Sequence, residues 1–158
     1  MVNLRVRTIP IPGASDLSIA FLVLDLNGTL SERGELIEGV ADRLKLLAAD
    51  VDIHLLTADT LGTAQALATE LPVTVTTISR GADKADFVRR LGRERTVAIG
   101  NGRNDEAMLR QSALGIAVVG SEGAASVTLL AADLVCRSIL EALDLLLDQR
   151  LIAATLRP

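Results

Sequence analysis

The sequence is poor in the residues that serve disulfide formation and nucleic-acid binding. In 158 residues it has no tryptophan, no tyrosine, two phenylalanines and one cysteine, Cys136. A single cysteine excludes an internal disulfide, and the lack of aromatic rings removes the platforms on which bases stack. The net charge is −4, with acidic and basic residues interspersed. Binding to a polyanion needs a clustered basic surface, so we expect no nucleic-acid partner.

Long apolar runs and a targeting segment are also lacking. The mean hydropathy is +0.40, yet charged or turn residues interrupt every apolar run before the ~18–20 residues that a membrane span needs. The N-terminus lacks the basic-then-apolar layout of a secretion signal. We therefore expect a cytoplasmic protein with no membrane partner and a core built mainly from alanine, leucine and valine. The composition leaves open whether it forms a homo-oligomer.

What the sequence does contain is an alternation of apolar runs and amphipathic segments. We predict strands at 20–25, 51–57, 73–77, 96–100, 115–119 and 133–136, and helices at 38–49, 60–71, 82–91, 104–111, 122–130 and 138–148. This alternation is typical of βαβ units in an α/β fold, and right-handed crossovers would place helices on both faces of a doubly wound, Rossmann-like parallel sheet. The length fits one core, so we expect residues 1–158 to form a single domain.

Two short segments lie outside this alternation. Near the N-terminus Leu4, Val6 and Thr8 alternate with polar residues up to the turn at 10–13, which predicts an edge strand of a β hairpin. Residues 30–37 form two short arms around a polar turn that contains Gly34. This pattern predicts a small β flap over the end of the sheet. There is no linker or low-complexity segment, so we expect no domain boundary.

Polar clusters follow the predicted central strands. Asp25-Leu26-Asn27-Gly28-Thr29 ends the first, Thr57-Ala58-Asp59 ends the second, Lys84 opens the helix after the third, and Gly100-Asn101-Gly102-Arg103-Asn104-Asp105 follows the fourth. The carboxyl ends of parallel strands lie at one rim of an open sheet, where such folds bind ligands. These side chains are therefore expected to converge.

The order and types of these residues resemble the four motifs of the haloacid dehalogenase (HAD) superfamily. Residues 25–29 resemble the first motif, Thr57 the second, Lys84 the third and residues 100–105 the fourth. The resemblance covers nearly the whole chain after residue 18 and is closest to the phosphorylation domain of P-type ATPases and its soluble stand-alone relatives. The intervals between the motifs are too short for a nucleotide-binding or cap domain, so the chain resembles the capless members.

The resemblance implies a Mg²⁺-dependent phosphohydrolase or phosphotransferase that acts on a small phosphorylated substrate through an aspartyl phosphate. Asp25 would be the nucleophile and a Mg²⁺ ligand, and Thr57 would hydrogen-bond a phosphate oxygen. Lys84 would set its positive charge against the phosphate and Asp25. The implied catalytic residues are Asp25, Asn27, Thr57 and Lys84.

Backbone amides and oxygen ligands complete the implied site. The amides around Leu26, Gly28 and Ala58 would add donors for the phosphate, together with Thr57 and Lys84. The implied metal ligands are Asp25, the backbone carbonyl of Asn27, Asn101 and Asp105, with Asp105 either supplying or orienting a metal oxygen.

Two positions depart from the family pattern, and both replace aspartate by asparagine. In phosphatases of the family the residue at the position of Asn27 protonates the leaving group and activates water, work typically worth ~10²–10⁴-fold in rate. An amide can do neither. The residue at the position of Asn101 is usually a metal carboxylate, and a neutral amide should hold Mg²⁺ more weakly. These departures predict slow turnover, a long-lived aspartyl phosphate and a need for high Mg²⁺.

The same departures support an alternative of another class, a catalytically impaired module that keeps the fold and binds phosphate or a protein. The retained Asp25, Lys84, Thr57 and Asp105 speak against it. A phosphorylatable receiver domain would have a similar sheet, an Asp and a Lys. That alternative ranks last, since such domains carry a pair of acidic residues after the first strand.

Several remaining residues have simpler structural explanations. We expect His54 and Cys136 to be structural, Asp83 to be part of the acidic first turn of its helix, Arg103 to be solvated, and Asn104 to hold its loop together. Asp59 fits a helix cap and a role beside the site about equally. The apolar tail at 150–158 is expected to pack on the core or on a partner chain.

Overall fold

The fold is built on a six-stranded parallel sheet. The computed structural model describes residues 5–58 and 62–158. The strands are β1 (Arg7–Ile9), β2 (Leu17–Ile19), β3 (Phe21–Asp25), β4 (Ser31–Glu32), β5 (Glu35–Leu36), β6 (Asp52–Thr57), β7 (Thr74–Thr77), β8 (Thr96–Gly100), β9 (Leu114–Val118) and β10 (Leu134–Cys136). The helices are α1 (Val40–Leu47), α2 (Thr63–Glu70), α3 (Gly81–Gly92), α4 (Glu106–Gln111), α5 (Ser126–Ala131), α6 (Ile139–Leu147) and α7 (Gln149–Leu156).

The strand order is β10-β9-β8-β3-β6-β7, and every neighbouring pair is parallel. β3 lies in the centre, and all five of its residues are buried. Its side chains alternate between the two faces: Leu22 and Leu24 pack into the larger core under α1 and α6, whereas Val23 packs into the smaller core with Val88 of α3 and Met108 of α4. The predicted doubly wound α/β fold with helices on both faces is confirmed.

The two small hairpins are also confirmed. β1 and β2 pair antiparallel, with the fully buried Ile9 at the end of β1; this strand begins later than the alternation predicted, and residues 1–4 lie outside the described part of the chain. β4 and β5 form the flap. Both residues at its tip have a positive φ, 52° at Arg33 and 84° at Gly34, which is the turn type that suits the twist of a two-residue hairpin.

The C-terminal tail forms α7 and packs on this chain's own core. Ile152 is fully buried, and the Arg7 guanidinium of the N-terminal hairpin donates a hydrogen bond to the Leu147 carbonyl at 2.9 Å. Among the described residues, no helix has the length and apolar character needed to cross a membrane.

Most predicted elements begin or end within a few residues of those observed, with one instructive exception. α5 begins at Ser126 rather than at residue 122. The preceding residues form a loop that is tied to the end of β8, where the Ala125 amide donates to the Asn101 carbonyl at 2.9 Å. Tertiary hydrogen bonds therefore replace the first helical turn that the sequence predicted.

Candidate active site

The predicted motif residues meet at the carboxyl rim of the sheet. Asp25 and Thr57 are the last residues of β3 and β6, and Asp105 lies in the 3₁₀ turn that follows β8. Lys84 lies in the first turn of α3 and points into the same place. The parallel topology thus brings residues from four separate segments into one site, as the motif spacing predicted.

An ion-paired trio forms the floor of this site. The Lys84 ammonium donates to Asp25 Oδ1 and to Asp105 Oδ1, each at 2.7 Å. The lysine and Asp105 are fully buried, and Asp25 is 8% exposed. Charges buried to this degree persist only when they are paired. Lys84 is therefore held between two carboxylates, and its movement would leave both of them buried without an ion-pair partner.

Burial and charge act against each other within this trio. Burial, followed by repulsion from Asp105, raises the pKa of Asp25 to about 6 in spite of the opposing effect of Lys84. Burial lowers the pKa of Lys84, but attraction to Asp25 and Asp105 outweighs it and leaves that pKa above its ordinary value. The lysine therefore stays charged beside the carboxylate that it contacts.

Asp105 has both carboxylate oxygens engaged. Oδ1 accepts from Lys84, and Oδ2 accepts from the backbone amides of Asn101 and Gly102, each at 3.0 Å. The carboxylate needs the space that Gly100 leaves, because a Cβ at Gly100 would lie 2.5 Å from the Asp105 carboxyl carbon. Asp105 thereby fixes both the lysine and the loop after β8.

The second oxygen of Asp25 faces Thr29 and Asn101. The buried Thr29 hydroxyl lies 3.5 Å from Asp25 Oδ2 and 3.3 Å from Asn101 Oδ1. The other end of the Asn101 amide donates to the Gly123 carbonyl at 3.1 Å, which keeps the oxygen end toward the Thr29 hydroxyl. Two oxygen atoms of the kind that Mg²⁺ prefers thus converge on one hydroxyl. Among the described residues, no group of three or more His, Cys, Asp or Glu side chains could hold a metal ion.

Asn27 lies at the open edge of the site. Its side chain is exposed, and its Oδ1 is 3.5 Å from the Ser31 hydroxyl of the flap. Beside it a cavity of about 200 Å³ extends between the flap and α2, lined in part by Leu36 and Leu67. The predicted flap therefore borders the site, next to Asn27.

Backbone hydrogen bonds fix three further residues of the predicted site. The Leu26 amide contributes a hydrogen bond to Asp25 that acts to lower its pKa, and the Gly28 amide donates to the Ser31 carbonyl at 3.0 Å. Thr57 is buried, and its carbonyl accepts from the Ile78 amide at 2.8 Å. Ala58 is exposed at the rim, and the predicted cap residue Asp59 lies outside the described residues.

One acidic residue near the site was missed by the sequence analysis. A Cβ built on Gly28 would lie 2.7 Å from Glu122 Oε2 and 2.6 Å from Asn101 Nδ2, so both side chains border the glycine. Gly28 also has a positive φ of 76°. Glu122 lay within a predicted helix, and only the glycines on either side of the dipeptide Ser121-Glu122 suggested a loop.

The residues expected to be structural occupy packed, exposed or helix-start positions. His54 packs between the Phe21 and Phe87 rings at centroid distances of 6.1 and 5.5 Å, and burial lowers its pKa. Cys136 is buried, and Arg103 and Asn104 are exposed. Asp83 lies in the first turn of α3, as expected.

These features define a hydrolase-type α/β domain with an aspartate at the end of its central strand. A family model described as haloacid dehalogenase-like hydrolase matches residues 56–139, which is more than half of the chain. The chain belongs to this family. The described residues contain no cap domain, in agreement with the capless prediction.

Comparisons with individual proteins agree with this assignment. An uncharacterized protein of Methanocaldococcus jannaschii is 50% identical over 64 residues, or 40% of this chain and 69% of the relative. The structure of 3-deoxy-D-manno-octulosonate 8-phosphate phosphatase from Moraxella catarrhalis, solved with magnesium, phosphate and the sugar acid, has a TM-score of 0.66 at 19% identity, covering 86% of this chain and 91% of that one. The likeness at this identity is one of fold.

A zinc-transporting PIB-type ATPase is also similar. The TM-score is 0.63 at 28% identity, and the match covers 76% of this chain but 20% of the ATPase. The chain is therefore similar to one part of that transporter. The predicted resemblance to the P-type ATPases is confirmed.

Proposed function

We propose that the protein is a Mg²⁺-dependent phosphohydrolase or phosphotransferase that acts on a small phosphorylated substrate through an aspartyl phosphate on Asp25. The observation that carries this proposal is the pairing of Asp25 with Lys84 at 2.7 Å, at the carboxyl end of the central strand. The lysine holds the carboxylate in one orientation and brings a fixed positive charge to the point where phosphoryl oxygens would gather. The phosphatase among the similar structures supports a phosphate monoester as the substrate class.

The first step would be an in-line attack by a carboxylate oxygen of Asp25 on phosphorus. The bond from phosphorus to the leaving oxygen breaks, and the leaving group takes a proton from water. Thr57 and the backbone amides of Leu26 and Ala58 are assigned to hold the phosphoryl oxygens with Lys84. In the second step water attacks phosphorus, the acyl phosphate bond breaks, inorganic phosphate leaves, and the Asp25 carboxylate is restored.

Mg²⁺ is assigned to Asp25 Oδ2, Asn101 Oδ1 and the backbone carbonyl of Asn27. The convergence of the first two oxygens on the Thr29 hydroxyl supports this assignment, because hard oxygen ligands suit this cation. Bound there, the cation would neutralise negative charge on a phosphoryl oxygen. We assign Asp105 the orienting role rather than direct ligation, because both of its oxygens are engaged.

Slow turnover is part of the proposal. Asn27 borders the open side of the site, where the leaving group would depart, but an amide neither donates an acidic proton nor accepts one from water. General acid–base catalysis is typically worth ~10²–10⁴-fold, so the phosphorylated form should outlast that of an enzyme with an acid at this position.

The test is hydrolysis of an aryl phosphate by fresh protein with and without Mg²⁺, with Asp25→Asn and Asn27→Asp measured beside it. We expect slow, Mg²⁺-dependent wild-type turnover, no activity in Asp25→Asn and faster turnover in Asn27→Asp. Intact-mass measurement after acid quenching should show one added phosphoryl group in the wild type and none in Asp25→Asn. Equal rates in all three proteins, without a phosphorylated species, would contradict the proposal.

The loss of acids at both Asn27 and Asn101 favours one second candidate, a phosphate- or protein-binding module that keeps the fold without turnover. It predicts that inorganic phosphate binds to the wild type and that no phosphorylated species forms. Calorimetric titration with inorganic phosphate tests for binding, and intact-mass measurement on the same samples separates the candidates, because only the enzyme forms a phosphorylated species.

A further inference from the structure

We propose that Glu122 supplies the second negative charge of the Mg²⁺ site, in place of the carboxylate that is missing at Asn101. This inference rests on the proposed function and names a residue that none of the four motifs contains. It would make the loop between β9 and α5 part of the active site.

A count of the charges shows why another carboxylate is needed. Lys84 pairs with both Asp25 and Asp105, and Asp105 has no oxygen left for a cation because two backbone amides occupy its second one. The acidic contribution to the proposed cation site from the known motifs is therefore Asp25 Oδ2 alone. One carboxylate and one amide oxygen form a weak site for a strongly hydrated dication.

Glu122 lies where its charge can act on that site. Its Oε2 and the Asn101 Nδ2 atom both border the Gly28 Cα, within 2.7 and 2.6 Å of the position that a Cβ would take. Gly28 is in the motif of Asp25, and Asn101 follows the neighbouring strand β8. The Glu122 carboxylate thus stands over the junction of the two segments that provide the proposed ligands.

The loop that carries Glu122 is held to this junction by hydrogen bonds. Asn101 makes two of them, from its side-chain amide to the Gly123 carbonyl at 3.1 Å and from the Ala125 amide to its own carbonyl at 2.9 Å. Gly120 has a φ of 44°, and a Cβ there would lie 3.5 Å from the Gly28 carbonyl. The loop therefore approaches the first motif just before Glu122 and is bonded to Asn101 of the fourth motif just after it.

Asparagine at position 101 has a consequence that aspartate would not have. Its Nδ2 donor fixes the Gly123 carbonyl, whereas an aspartate there would place two acceptors face to face. Asn101, which is neutral where the family pattern has a carboxylate, thus anchors the loop that carries the Glu122 carboxylate. Glu122 is exposed, so its side chain can turn toward a cation or toward one of the waters that Mg²⁺ retains.

The experiment is calorimetric titration of the full chain with Mg²⁺ in the absence of substrate, which does not depend on turnover. We compare the wild type with Glu122→Gln and with Glu94→Gln, a matched loss of one exposed carboxylate at the amino end of β8. We expect Glu122→Gln to weaken Mg²⁺ binding ~10-fold, in the range found for residues that support metal ligands. Glu94→Gln should bind like the wild type.

A double variant tests the exchange of charge directly. Asn101→Asp combined with Glu122→Gln should restore Mg²⁺ affinity to at least the wild-type level, because the carboxylate returns to position 101. Circular dichroism checks that each variant is folded.

Equal Mg²⁺ affinity in the wild type and Glu122→Gln would overturn the proposal, and so would equal losses in Glu122→Gln and Glu94→Gln. A Glu122→Gln variant that binds Mg²⁺ normally but hydrolyses aryl phosphate more slowly would also overturn it, and would assign Glu122 to proton transfer instead. A wild type that binds no Mg²⁺ overturns the Glu122 assignment. In that case phosphorylation of Asp25, measured separately by intact mass, decides whether the proposed function fails as well.

Discussion

The two sides of the candidate site differ in the charge of their side chains. On the ion-paired side, Lys84 binds Asp25 and Asp105 at equal distances of 2.7 Å, and all three are buried. On the amide side, Asn27 and Asn101 are neutral where the family pattern has acids, and Asn27 is exposed. The charged motif residues Asp25, Lys84 and Asp105 are thus retained as a buried ion-paired group, while two positions that are acidic in the family pattern have no charge.

This difference indicates which property each side serves. Buried charges cost several kcal/mol each unless they are paired, so the ion-paired side is bound up with the stability of the fold. On the amide side, Asn27 is exposed beside a cavity, so a change at Asn27 should alter rate with little effect on stability. Asn101 and Gly28 are buried, so changes there should also disturb the packing. The predictions below test that separation, from the largest expected effect to the smallest.

Lys84→Met should break the ion-paired side and cause the largest loss of stability. It leaves two carboxylates buried without a counter-ion, which typically costs ~3–5 kcal/mol. The measurement is urea unfolding at pH 7 without Mg²⁺. Arg43→Met is the matched control, because Arg43 pairs with Asp144 at the same 2.7 Å but near the surface, where solvent screening leaves an ion pair with little effect on stability. A Lys84→Met loss no larger than that of Arg43→Met would contradict the comparison.

Asn27→Asp changes the amide side and should alter the reaction rate with little effect on stability. It provides a carboxylate that can accept a proton from the attacking water, which should speed decay of the aspartyl phosphate by ~100-fold, at the low end of general acid–base effects. Because the side chain is exposed, the free energy of unfolding should change by less than about 0.5 kcal/mol. Quench-and-mass measurements give the decay rate, and urea unfolding gives the stability. A stability change as large as that of Lys84→Met would show that the two sides are not separable.

Gly28→Ala tests whether the amide side depends on close backbone approach. The added Cβ would meet Asn101 Nδ2 at 2.6 Å and Glu122 Oε2 at 2.7 Å, at a residue with a φ of 76°. Gly34→Ala is the control, since its φ is 84° and nothing lies within 4 Å of the added atom. The positive φ costs each variant about 1 kcal/mol, and the clash should add to the loss at Gly28 alone, with weaker Mg²⁺ binding. Equal losses in both variants would show that Glu122 and Asn101 move aside freely.

The fold and the ion-paired side were accessible from the sequence because both depend on local pattern and parallel topology. Continuous apolar runs such as Phe21–Asp25 identify strands buried on both faces, and their shared direction brings Asp25, Lys84 and Asp105 together. Glu122 was not accessible, because its position depends on hydrogen bonds between Asn101 and a loop more than twenty residues later. No local pattern reports such a contact. The sequence also left open whether the C-terminal tail packs on the core, because α7 contacts β1 of the N-terminal hairpin and α6, and the contact with β1 joins the two ends of the chain.

His54 offers the smallest expected effect and separates the pH dependence of the fold from that of the chemistry. It lies on β6 three residues before Thr57, packed against Phe21 and Phe87. Burial lowers its pKa from the ordinary 6.5 in the folded protein, so the unfolded chain binds the proton first as the pH falls. The stability that depends on neutral His54 is complete above about pH 6.5 and declines below it until the folded form is protonated as well.

His54→Leu should therefore reduce the loss of stability between pH 7 and pH 5, measured as urea midpoints at each pH. The aryl phosphatase rate, corrected for the folded fraction, should keep its wild-type pH profile, because His54 lies away from the ion-paired trio of Asp25, Lys84 and Asp105. A changed rate profile with an unchanged stability profile would place His54 in the chemistry instead. The rate would then depend on a residue of the core beneath the site as well as on the two sides of the site.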